Sequence, residues 1–301
     1  MALLCDSPRW PAHGTVYGHL VSDHSLDELH DFAAGIGMNP RSFDHDHYDL
    51  ARERLDAALT AGAQLTPERQ LVARVRAAGL RIAPDQKVPS RSLAHRMLVN
   101  RWQGLLPQAP DLGEDLLARY VEPQRHYHDV RHLAEMVTHL DELAPAAHAP
   151  RVEELAAWFH DAVWHGVAGS DEEQSAQLAE RELTGLLDDE EVTEVARLVR
   201  LTATHSPQAS DVSGARVCDA DLAILGSAPG RYQTSVRDIR LEFGHFTNAE
   251  WRTGRGMVLE RFLDHDHLFT SSAARQRWEA SARKNIGHEL TRLAVGVSTG
   301  L

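Results

Sequence analysis

Cysteine is nearly absent from this 301-residue chain: Cys5 and Cys218 are the two present, far apart and in no metal-ligand spacing. They build no disulfide framework, and their scarcity suits a reducing compartment, so a cytoplasmic protein is expected. No apolar run approaches the roughly 20 residues that cross a bilayer. The start, Met-Ala-Leu-Leu-Cys-Asp, lacks a basic n-region and meets an acid at Asp6, so neither a signal peptide nor a membrane partner is expected. Internal repeats, low-complexity tracts and a Gly-rich phosphate loop of recognised spacing are also missing. Basic residues are outnumbered: Lys and Arg total 31 against 44 Asp and Glu, a formal net charge of −13. Such a chain repels duplex DNA and RNA, yet a metal ion and local arginines can still attract a small anion into one cleft.

What is present is an ordinary globular composition, 43% hydrophobic and 25% charged, long enough for two domains. Residues 1–80 alternate short apolar runs with amphipathic segments. Strands are expected at 2–5 and 63–65, and residues 41–48 are either a second strand or an extended loop. Helices are expected from Ser25 to Gly37, with a capping-box pattern Ser25…Glu28, at 50–59, and from Pro67 to Ala78. The order is βαβαβα, hence a small α/β module. Residues 81–91 carry two prolines and little periodicity and read as a linker. From 92 to 294 the period is helical, with candidate helices at 92–106, 114–121, 129–144, 150–164, 171–187, 189–204, 218–226, 229–245, 249–264 and 272–294. The fold class expected is therefore α+β in two domains: an N-terminal α/β module, then an all-α bundle. No pattern fixes an oligomeric state.

Nineteen histidines are present, and four segments concentrate them with acids. Arg125-His126-Tyr127-His128-Asp129-Val130-Arg131-His132 places His128 and His132 four apart, on one face if helical. Trp158-Phe159-His160-Asp161 ends an apolar run with two ionisable groups, whose burial is costly unless compensated; a divalent cation is an economical compensation. Thr202-Ala203-Thr204-His205 adds another histidine. Asp219-Ala220-Asp221 sets two acids in the apolar stretch that continues through Leu222-Ala223-Ile224-Leu225.

The ordered set of a His, a His-Asp doublet and a distant Asp resembles the HD superfamily of metal-dependent phosphohydrolases over about residues 92–290. Tyr127-His128-Asp129-x-x-His132 is also similar to the Tyr-His-Asn-x-x-His of cyclic-nucleotide phosphodiesterases, with Asp129 in place of Asn. The wider stretch, including Ile239-Arg240-x-Glu242-Phe243, Gly254-Arg255 and Ala282-Arg283-x-Asn285, resembles a bacterial branch of HD hydrolases. The resemblance implies metal ligation by His132, His160, Asp161 and Asp221, with Asp219 the rival for the last position, and a general-acid role for His128. His205 is a further catalytic candidate, for a second metal or for phosphate contact. Imidazole and carboxylate ligands suit Mn, Fe, Co, Ni, Zn or Mg. Arg125, Arg240, Arg255 and Arg283 are candidates for binding the phosphoryl oxygens of a small phosphorylated substrate. His126, His165, Asp171 and Glu172 are candidate supporting residues.

The activity implied is hydrolysis of a phosphoester of a nucleotide or related metabolite by metal-activated water. Two alternatives stand beside it: a di-iron oxygenase on the same scaffold, which needs His165 and His205 as further ligands, and a non-catalytic nucleotide sensor. The N-terminal segments with His19, Asp23, His30, His47 and Asp49 resemble a small domain family of unknown function. They make either a second polar or metal site or a set of local turn hydrogen bonds.

Overall fold

The computed structural model describes residues 2–12, 14–39, 42–82, 87–146 and 148–294. Contacts divide the described residues into two compact units: those up to Lys87 together with Ala228–Arg237, and Val88–Ser227 together with those from Asp238 to Ala294. The segment 228–237, inside the expected helical domain, thus belongs with the N-terminal unit. Of the expected linker, residues 83–86 lie outside the described residues, as does residue 41 of the second expected strand.

The first unit is a six-stranded mixed sheet, ordered β4-β5-β3-β1-β6, with β2 also paired to β3. Its strands are β1 (Leu3–Cys5), β2 (Trp10–Ala12), β3 (Thr15–Ser22), β4 (Phe43–Asp44), β5 (His47–Ala51) and β6 (Gln64–Leu65), and its helices include α1 (Leu26–Gly35), α2 (Arg52–Thr60) and α3 (Glu68–Ala77). The alternation of strand runs and helices holds, but β2 and β3 are additions, and the strand expected over 41–48 is two, β4 and β5, paired antiparallel across a turn. β3 makes the sheet mixed, because it pairs antiparallel with β1 and β5, whereas β1 and β6 are parallel. Gly18 sits mid-strand because Asp6 lies against it: a Cβ there would stand 2.6 Å from Asp6 Oδ1. At α1, the Ser25 hydroxyl accepts from the Glu28 amide at 3.1 Å. The reciprocal arm of a capping box is replaced, since the Glu28 carboxylate takes the Ser22 hydroxyl instead. Leu4, Leu20, Leu29, Leu50 and Val75 close the core.

The second unit is all helical among its described residues. It contains α4 (Arg91–Leu105), α5 (Pro110–Arg119), α6 (Val130–Leu143), α7 (Arg151–Phe159), α8 (Ser170–Leu183), α9 (Asp189–Leu201) and α10 (Val212–Leu222), the last running into a 3₁₀ turn, Ala223–Gly226. The final turn of α11 (Pro229–Glu242), α12 (Asn248–Leu263), α13 (Ser272–Ala274), a π turn (Arg275–Glu279) and α14 (Ala280–Ala294) complete it. α7 is buried from Glu153 to Phe159. A helix apolar on nearly all sides belongs at the centre of a bundle, and α7 packs on α6, α9 and α10. Its two buried acids are compensated: Glu153 by Arg216, and Glu154 by Arg101 at 2.7 Å. Among the described residues no helix is long and apolar enough to cross a membrane.

Candidate metal centre and adjoining cavity

The helix expected over 150–164 ends at Phe159, so His160 is its C-cap and Asp161 lies beyond it. Three of the helices packed on α7 supply the rest of the site: His132 from α6, Asp221 from α10, and His205 just past α9. His132 Nε2 stands 3.1 Å from His160 Nε2 and 3.1 Å from Asp221 Oδ1. His132, His160 and Asp221 form a cluster able to hold a metal ion. Asp161 Oδ2 joins it at 3.0 Å from His160 Nε2 and 3.7 Å from His132 Nε2.

Three observations fit this donor set to a cation. The His160 Nδ1–H donates to the Ala157 carbonyl at 2.8 Å, which leaves Nε2 as the atom facing the cluster. Asp161 Oδ2 is buried and makes no well-aligned hydrogen bond, facing only the ring nitrogens of His160 and His132. Burial opposes charge on His160, but Asp161 and Asp221 outweigh it and raise its pKa to about 9. Two buried carboxylates thus call for positive charge, which a proton or a metal ion can supply. The Asp161 and Asp221 carboxyls themselves lie below the usual range: burial works against this, and the neighbouring histidines overcome it.

His205 Nε2 lies 2.8 Å from Asp221 Oδ2, so that carboxylate has His132 on one oxygen and His205 on the other. His205 has φ 51°, the left-handed region that favours glycine at helix ends. Asp219 does not reach the cluster; its oxygens accept the Thr270 and Ser271 amides at 2.7 and 2.8 Å. The choice between the two acids therefore falls on Asp221.

His128 is not on α6, since Asp129 is that helix's N-cap and its side chain accepts from the Arg131 amide at 2.7 Å. The His128 ring nevertheless approaches His132, with centroids 5.8 Å apart. Its Nδ1 is 2.6 Å from Glu242 Oε2. Glu242 Oε1 accepts the amides of His126, Tyr127 and His128 at 2.8, 2.8 and 2.9 Å. The carboxylate is fully buried. Sequence reading gave this residue no role; a lone glutamate more than a hundred positions downstream offers no local signal that three amides will converge on it.

The arginines expected to bind phosphate divide. Arg125 is buried, and its guanidinium donates to the His128 and Asp161 carbonyls at 3.2 and 2.7 Å while packing over Tyr120. Arg240 donates to the Phe243 and Phe246 carbonyls, and Arg283 to Glu279 and the His265 and Asp266 carbonyls. These three act as braces for chain turns. Arg255 lines the cavity described next and pairs with Glu289 at 2.9 Å.

A cavity of about 870 Å³ is lined by His128, Asp161 and His205 together with Trp164, Phe243 and Trp251. Asp171 and Glu172 also line it, whereas His165 is largely exposed and pairs with Asp171 at 3.1 Å. His126 contributes its amide to Glu242.

In the first unit the candidate residues make mostly local pairs. His19 bonds Asp6 at 3.0 Å, His47 bonds Asp46 at 2.8 Å, His30 meets the Tyr48 hydroxyl at 2.8 Å, and Asp23 pairs with Arg74. His19 and His47 remain neighbours, with centroids 4.9 Å apart. Asp49 reaches His47 at 3.6 Å.

A family model described as a protein of unknown function (DUF4031) matches residues 3–78, the sheet-bearing part of the first unit. No curated protein and no solved structure matches the chain.

Proposed function

We propose that the helical unit is a metal-dependent phosphohydrolase of HD type, acting on a phosphoester of a nucleotide or related small metabolite. The observation that carries this reading is that one cavity is lined by both Asp161, at the metal cluster, and His128, the expected proton donor. His132, His160, Asp161 and Asp221 would hold a divalent ion of the Mn, Fe, Co, Ni, Zn or Mg class. When bound, such an ion supplies an acidified water and a Lewis acid for a phosphoryl oxygen.

The residues of the chain do the remainder. The His160 Nδ1–H bond to the Ala157 carbonyl fixes that ring's orientation. Glu242 holds His128 Nδ1, leaving Nε2 to deliver a proton to the leaving oxygen. A well-placed acid of this kind contributes ~10²–10⁴ in rate. Arg125 fixes the carbonyls on both sides of the site, so that His128 and Asp161 keep their spacing. His205 orients Asp221 from its second oxygen. Arg255 is the cavity-lining arginine of the expected set.

A panel of phosphate esters assayed with Mn, Co, Ni, Mg and Fe tests the reading. Hydrolysis by the wild type and none by Asp161→Ala supports it. Absence of turnover with every ester and metal, in protein shown to bind metal, refutes it and favours a sensor.

A further inference from the structure

The cavity is larger than phosphate chemistry needs, and its apolar side begins at the proton donor. About 870 Å³ is near the top of the roughly 300–1,000 Å³ range that encloses a drug-sized ligand, well beyond a phosphoryl group. The His128 ring stacks on Trp164, with centroids 5.1 Å apart and planes at 28°. Trp164 meets Phe243 edge-on at 6.0 Å. Phe243 in turn contacts Trp251 at 6.2 Å and Phe246 at 6.1 Å. All five rings line the cavity, and Phe262 extends the set.

This wall is built into the fold. Gly166 has φ 78°, and a Cβ there would stand 2.9 Å from Phe243 Cε1. The turn after the His-Asp doublet therefore admits Phe243 only because it has no side chain at that point. Phe246 keeps 41% of its surface exposed, so this end of the wall is reachable from solvent.

Chemistry sets the direction in which a substrate lies. A general acid protonates the oxygen of the departing alcohol, so that alcohol must lie on the His128 side of the phosphorus. The aromatic wall starts at His128. We infer that the ester cleaved at this site carries a large, planar, aromatic leaving group that stacks along Trp164, Phe243 and Phe246. The inference rests on the hydrolase reading above and adds the class of alcohol released.

Two esters whose alcohols are of similar acidity separate stacking from leaving-group reactivity: 2-(2-naphthyl)ethyl phosphate and propyl phosphate. Stacking on aromatic side chains is expected to give the naphthyl ester a kcat/KM ~10–100-fold higher. Phe246→Ala, at a partly exposed position, should narrow that ratio by about 10-fold. The released alcohol, 2-(2-naphthyl)ethanol, should also quench tryptophan fluorescence in the wild type and bind more weakly to Phe246→Ala, with no turnover required. Equal kcat/KM for the two esters, or a ratio unchanged by Phe246→Ala, overturns the inference and leaves the hydrolase reading standing. Quenching that depends on Phe246 without hydrolysis of any ester overturns the hydrolase reading and supports an aromatic ligand in the cavity.

Discussion

Glu242 Oε2 stands 2.6 Å from His128 Nδ1, while the other oxygen of the same carboxylate takes three successive amides from the loop that carries His128. Burial opposes charge on this histidine, but Asp161 and Glu242 outweigh it and raise its pKa above the usual imidazole value. A cation at the cluster would offset the share of Asp161 but not that of Glu242. The acid must be protonated to act, so kcat/KM should fall as pH rises through the His128 pKa, which Glu242 helps to hold up. Glu242→Gln removes the charge and keeps an acceptor, so the alkaline limb should move to lower pH. A pH–rate profile of both proteins checks this; an unmoved limb would leave Glu242 as a loop brace only.

Asp219 and Asp221 lie two positions apart and should behave oppositely. Asp221→Ala removes a cluster ligand and should lower metal occupancy while the helices persist. Asp219→Ala leaves the Thr270 and Ser271 amides without their acceptor, which should cost about 1–3 kcal/mol of stability with metal retained. Metal content by mass spectrometry, set beside thermal unfolding, separates the two.

Arg125→Ala strips hydrogen bonds from buried carbonyls on both sides of the site. A loss of about 2–5 kcal/mol in unfolding free energy is expected, visible as a lower urea midpoint. A phosphate-binding arginine at the mouth of a cavity would instead raise KM at unchanged stability.

His128→Ala should keep bound metal, because His132, His160, Asp161 and Asp221 remain. Turnover of esters with poor leaving groups should fall strongly, and that of nitrophenyl phosphate much less, since its alcohol departs without a proton. Equal losses on both, or loss of metal, would remove His128 from the acid role.

Much of this was legible in the sequence because long-period signals survive without coordinates. His160, Asp161 and Asp221 stood out as ionisable groups in or at the end of apolar runs, the likeness to the HD superfamily added His132, and the bundle brings the four together around α7. The expected helices mostly overlap those found, but the run 150–164 concealed its end at Phe159, because a helix C-terminus depends here on Arg125 reaching the carbonyls just past it. β3 was missed because Gly18 interrupts it, and that glycine answers to Asp6, twelve positions away. The four arginines could not be sorted, since guanidinium binds a carbonyl as readily as a phosphate and only the fold says which is near. The same holds for the aromatic wall, whose members Trp164 and Phe243 meet only in three dimensions.

The most direct measurement is metal-dependent turnover on a chelated protein. Divalent metal, Mn first, is returned stepwise to the full-length chain while phosphate release from a nitrophenyl ester is followed. Activity should be absent at zero metal, rise with occupancy of the His132, His160, Asp161 and Asp221 site, and fail to return in Asp161→Ala. Turnover in the chelated wild type, or full metal occupancy without phosphate release from any ester, would contradict a metal-dependent phosphohydrolase.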